Sequence, residues 1–80
     1  MMDPERLRAL IATGLVCEHL DVSGDGHHFA ALIVSAAFAG KSRVQRQQHV
    51  NAILREHFDS GELHALSMKT QTPEEWRSGG

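Results

Sequence analysis

Eighty residues, 41% apolar and 22% charged, are enough for one small core but leave no room for a separate regulatory module. The net charge of −2 belongs to an ordinary soluble protein, and no apolar run approaches the length of a bilayer-spanning helix, so a membrane partner is not expected. The lone Cys17 cannot form an intramolecular disulfide, and residues 1–6 lack the basic start and apolar block of a signal peptide; the expected location is the reducing cytoplasm.

A first helix is expected over residues 3–13. Asp3 can cap it, Pro4 suits its first turn, Leu7, Leu10 and Ile11 repeat on one face, and Gly14 stops it. Residues 17–23 partly alternate, Ser23-Gly24-Asp25-Gly26 supplies turn chemistry, and an apolar run follows over residues 29–34, so the pair is expected to form a β-hairpin. Ser42 with Gln45 three residues later makes a capping box, opening a helix through about Phe58 whose core side is Val44, Val50, Ile53, Leu54 and Phe58. A third strand is expected over residues 63–70, carrying His64. Thr72-Pro73-Glu74-Glu75 then caps a short last helix that should bury Trp76.

The resulting order is α-β-β-α-β-α, an α+β class, and a right-handed crossover should set the third strand parallel to the second. Residues 1–77 are expected to form a single domain, with 78–80 a flexible tail. Phe29, Phe38, Ile53, Leu54, Leu66 and Trp76 are the expected core.

Charge is unevenly distributed. Lys41, Arg43, Arg46 and Arg55 fall within residues 41–55 with no acid among them, while the rest of the chain carries four basic and ten acidic residues. Such a segment suits a solvated helix face, phosphates or an acidic partner. Histidines also cluster, at His27 and His28 in the hairpin and at His64 in Leu63-His64-Ala65-Leu66-Ser67-Met68-Lys69-Thr70. A chain with clustered imidazoles and one thiol can lend ligands to a metal centre but cannot build a thiolate-rich one alone. That asymmetry points to a partner.

Taken in order, Ser23-Gly24-Asp25-Gly26-His27-His28-Phe29, Val34-Ser35, the run from Phe38-Ala39-Gly40-Lys41-Ser42 to Gln47, Leu63-His64-Ala65-Leu66-Ser67-Met68-Lys69-Thr70 and Thr72-Pro73-Glu74-Glu75-Trp76 resemble the BolA family. The match is closest to its short bacterial acid-stress branch. The resemblance implies a fold similar to a class II KH domain, with helices on a three-stranded mixed sheet, and a non-catalytic role. It further implies a monothiol CGFS glutaredoxin as partner and a [2Fe-2S] cluster shared with that partner and with glutathione, in iron–sulfur trafficking or iron and redox sensing. In that picture His64 matches the family's histidine ligand. The second ligand comes from the loop between the first two strands, here His27 or His28; neighbouring strand residues face opposite ways, so only one is expected to be well aimed, and His27 is slightly favoured because His28 is available for packing or a local hydrogen bond. Neutral imidazole can replace thiolate on such a cluster. Lys69 and Thr70 are candidate partner contacts.

The alternative is DNA binding through Lys41, Arg43 and Arg46, where the start of the second helix resembles a helix-turn-helix-like segment. No GxxG clamp of a true KH domain is present, and the acidic total weakens attraction to DNA. Catalysis is not expected: the chain has no G-x-x-x-x-G-K-[ST] loop and no CxxC pair. Cys17, His19, His49 and His57 are read as structural or surface residues.

Overall fold

The computed structural model describes residues 2–79. In chain order it comprises α1 (Pro4–Gly14), β1 (His19–Gly24), β2 (His28–Val34), a 3-10 turn (Ala36–Phe38), α2 (Arg43–Ile53), α3 (Arg55–Asp59), β3 (Ala65–Gln71) and α4 (Pro73–Arg77). The sheet order is β1-β2-β3. β1 and β2 are antiparallel, and β2 and β3 run parallel across the helical connection, as the crossover argument requires. The α+β class and the three-stranded mixed sheet are those expected.

Local chemistry sets the helix starts. Asp3 accepts from the Arg6 amide, while Ser42 with Gln45 and Thr72 with Glu75 form reciprocal capping boxes that satisfy otherwise orphaned N–H groups. The one long helix expected through Phe58 is instead two, parted at Leu54 (φ −100°, ψ 7°). Each i+4 step advances about 40° beyond a full turn, so a straight helix would carry Phe58 about 80° around from Val50. The break at the buried Leu54 re-aims α3 and lets Phe58 pack on the core that Val50 enters from α2.

One face of the sheet buries Phe29, Ala31 and Ile33 against Leu7, Ile11, Val50 and Leu54 of the helices, with Phe38 fully buried beside them. The opposite face, bearing Ala30, Ser67 and Lys69, is exposed. Both edges of the sheet are guarded by arginine: Arg8 Nε donates to the Leu20 carbonyl of β1 (3.2 Å), and Arg46 Nη1 donates to the Thr70 carbonyl of β3 (3.2 Å). A guanidinium on an edge carbonyl blocks strand addition there.

Four core assignments need correction. Trp76 is not buried: it is 41% exposed, lying flat on the His19 ring at 4.7 Å, because the one-turn α4 lies across the sheet end rather than beneath the helices. Val44 is 60% exposed, since its place in the first turn of α2 precedes the helix's approach to the core. Ile53 and Leu66 are only partly buried at the core margin. At the C-terminus the Ser78 and Gly79 amides donate to the Glu74 and Trp76 carbonyls, closing α4; Gly80 lies outside the described residues. Among the described residues no helix is long and apolar enough to cross a membrane.

Candidate functional site

His64 does not lie on the third strand. β3 begins at Ala65, and His64 is the last residue of the preceding loop. The reason is visible next to it: Leu63 turns inward, 1% exposed, and its amide donates to the His57 carbonyl (2.9 Å) rather than to β2, so strand pairing starts only afterwards. His28 opens β2 and pairs in register with Ala65. The residues just before the two strands are therefore His27 and His64, on neighbouring chains at one end of the sheet, where adjacent strands lie about 4.8 Å apart. Phe29 and Leu66 pair in register on the core side of the sheet, and the alternation holds only from His28 and Ala65 onward, since His27 lies in a bend and Leu63 is buried where continued alternation would expose it.

The hairpin geometry depends on Asp25 and two glycines. The Asp25 carboxylate accepts from the His27 and His28 amides, both at 2.9 Å, and these N–H donors, that of His28 foremost, hold its carboxyl below the usual carboxylate range. Gly26 adopts φ 98°, a conformation that disfavours side chains. At Gly24 a Cβ would fall 2.4 Å from the His28 carbonyl oxygen, so only glycine permits this close approach.

The six histidines divide by environment. His19 Nε2 meets Asp21 Oδ2 (2.7 Å) under the Trp76 ring, His49 Nδ1 meets Lys41 Nζ (2.9 Å), and His57 Nδ1 meets Glu62 Oε1 (2.7 Å). These three are engaged within the fold. His27, His28 and His64 are exposed; among the described residues their imidazoles make no hydrogen bond or ring contact, and the charge of Asp25 lies near that of His27. Among the described residues no three His, Cys, Asp or Glu side chains are gathered as a set for one ion. What this sheet end presents is three exposed imidazoles, His27, His28 and His64.

Cys17 precedes β1 and packs at the core margin, its thiol donating to the Leu15 carbonyl (3.4 Å). Burial pushes its pKa up, against a smaller opposing pull from Arg8, which favours the inert thiol.

The basic residues of the second helix meet the candidate partner contacts at a different place. Lys41, Arg43, Arg46, Lys69 and Thr70 line one shallow groove with Glu75. Arg46 is committed inside the fold: Nε donates to the Lys41 carbonyl (3.0 Å), Nη1 to the Thr70 carbonyl and to Glu75 Oε1 (2.8 Å), and Nη2 to Glu75 Oε2 (3.3 Å). Arg43 is exposed, and Lys69 stands on the open sheet face. The sequence marks Asp25 only as a turn residue; its carboxylate's hold on the His27 and His28 amides is visible in the fold. Nor does the sequence single out Glu62, since its pairing with Arg6 joins residues far apart in the chain and leaves no local trace.

A profile of the family described as BolA-like protein matches residues 2–75. The chain is 37% identical over 75 residues to the acid stress protein IbaG of Escherichia coli (strain K12), covering 94% of this chain and 89% of that one. It is 36% identical over 80 residues to BolA-like protein 2 of Homo sapiens, covering 94% and 91%. Among solved structures, a bolA protein homologue from Coxiella burnetii superposes with a TM-score of 0.85 at 36% identity, covering 96% of this chain and 99% of the other. With the motifs, the sheet topology and these similarities in agreement along almost its whole length, the chain belongs to the BolA-like protein family.

Proposed function

We propose that this protein is a non-catalytic partner of a monothiol CGFS glutaredoxin, and that it supplies His64 and a hairpin histidine, His27 before His28, to a [2Fe-2S] cluster shared with that glutaredoxin and glutathione. The observation that carries this reading is the sorting of the histidines. Three are engaged in the fold, while the three exposed ones, whose imidazoles make no hydrogen bond among the described residues, sit together at the starts of β2 and β3.

The donor set fits such a group. Two neutral imidazoles can serve one iron of a [2Fe-2S] centre, and thiolates from the partner and from glutathione would complete the other side. Bound there, the cluster supplies electron-accepting iron at a potential raised by nitrogen ligation. The chain's own part is to hold two imidazoles at one end of the sheet and keep them accessible to a second protein. In the cytoplasm this would serve iron–sulfur trafficking or iron and redox sensing, and the stress-protein name of one relative accords with such a role.

DNA binding is the weaker reading, because Arg46, one of its three candidate cations, is spent on Glu75 and two backbone carbonyls.

The test is to combine the protein with a CGFS glutaredoxin, glutathione, iron and sulfide, and to compare visible absorption and circular dichroism for wild type, His64→Ala, His27→Ala and His28→Ala. His64→Ala should abolish the wild-type signature, His27→Ala should alter it strongly, and His28→Ala should alter it least. A folded His64→Ala protein with an unchanged spectrum refutes the proposal.

A further inference from the structure

His64 poses a mechanical problem. A metal-binding histidine is normally aimed by a hydrogen bond to its second ring nitrogen, yet among the described residues the His64 imidazole has no such partner. Its aim must come from the backbone that carries it. That backbone is fastened directly upstream. Glu62 Oε1 meets His57 Nδ1 of α3 at 2.7 Å, and Glu62 Oε2 pairs with Arg6 Nη1 of α1. The Glu62 amide donates to Ser60 Oγ (3.2 Å), and Leu63 is pinned by its buried side chain and its amide bond to His57.

We infer that Glu62, bridging Arg6 and His57, is a positioning residue that sets the backbone of His64 for ligation. The inference rests on the reading of His64 as a ligand and adds the device that presents it. One carboxylate ties the approach to His64 onto α3, directly upstream, and onto α1, distant in sequence, so the loop is referenced to the helical layer and not only to β3. The bridge has side chains 46%, 24% and 20% exposed for Arg6, Glu62 and His57. Glu62 and His57 are half-buried and Arg6 is exposed, so solvent screens the outer half of the bridge. Asp25 plays the matching part on the hairpin by accepting from the His27 and His28 amides. The two loops are thus each held by a carboxylate that is not itself presented as a ligand.

The test uses the full chain with Glu62→Ala, Arg6→Leu, Arg6→Lys and His64→Ala. In the protein alone, amide exchange and 15N relaxation are measured at residues 62–66. In the complex with a CGFS glutaredoxin, glutathione, iron and sulfide, the lifetime of the visible circular-dichroism signature is followed. Glu62→Ala and Arg6→Leu should speed exchange at the Leu63 amide, leave the central amides of β2 protected, and shorten the lifetime of the signature by no more than about tenfold, the lower end for losing a direct outer partner of a metal ligand, because Glu62 acts on His64 only through the backbone. Arg6→Lys, which keeps the cation, should restore most of both.

Unchanged exchange or an unchanged lifetime in Glu62→Ala, with His64→Ala still abolishing the signature, overturns the positioning role and leaves the ligand reading standing. A signature that survives His64→Ala overturns both. A shortened lifetime without faster exchange also overturns the inference, because Glu62 would then act by touching the partner directly.

Discussion

Replacing Arg46 by methionine keeps most of the aliphatic stem and removes the guanidinium. In the native fold this side chain is 12% exposed and lies 5.8 Å from the centroid of the Phe38 ring. It donates to the carbonyls of Lys41 and Thr70, at 3.0 and 3.2 Å, and to both oxygens of Glu75. Two backbone bonds at a net of about 1 kcal/mol each give a loss of about 2 kcal/mol. The exposed Glu75 pair is left out of that figure because solvent screens it. For a chain of this size, about 2 kcal/mol lowers Tm by about 8–16 °C.

Thermal and urea unfolding followed by far-UV circular dichroism measure this loss. Fluorescence of Trp76, the sole tryptophan, reports whether α4 detaches first. Arg43→Ala, on the exposed side of the same turn, should change stability by less than about 0.5 kcal/mol. A loss below about 0.5 kcal/mol for Arg46→Met would show that the guanidinium is not a clasp, and the DNA reading would regain its third cation.

The same clasp fixes a pH dependence. Side-chain hydrogen bonds from Arg46, then the Thr72 amide, lower the Glu75 carboxyl from 4.5 to about 2. A depressed carboxyl stabilises the fold above its unfolded value and loses that contribution as pH falls through the folded one. Docking of α4 should therefore be full above pH 5 and weaken between about 4.5 and about 2, a titration of Trp76 fluorescence that Glu75→Gln should remove. Leu63→Ala, at a fully buried site, should cost about 2–5 kcal/mol in urea unfolding and loosen His64 with it; a smaller cost would mean that the loop is not anchored through the core. Gly24→Ala drives a methyl against the His28 carbonyl, so hairpin cross-peaks between Gly24 and Phe29 partners should vanish or shift in NMR spectra; an unchanged hairpin contradicts the close approach. His19→Ala removes the ring under Trp76 and should red-shift its emission while changing stability by only about 0.5–1 kcal/mol.

Much of this protein is written locally in its sequence. The Asp3-Pro4, Ser42-Gln45 and Thr72-Pro73-Glu75 starts are legible because a helix N-terminus is satisfied by residues within one turn. The hairpin and the family motif around His64 are equally legible, since turn chemistry and short motifs are contiguous in the chain. Burial was harder to foresee. Val44 and Trp76 have the composition of core residues, but the approach angle of α2 and the position of α4 over the sheet end leave them exposed.

The site itself depends on contacts across the chain. Parallel register between β2 and β3 brings His27 beside His64, and the inward turn of Leu63 moves His64 off the strand into the loop. Tertiary packing alone decides that Arg46 serves Glu75 rather than solvent, and that Glu62 joins Arg6 to His57. Capping and turn propensities act over a few residues and can be read in order. Register and side-chain pairing are set by which surfaces meet when the core closes, so the same histidines and arginines acquire their roles only in the folded chain.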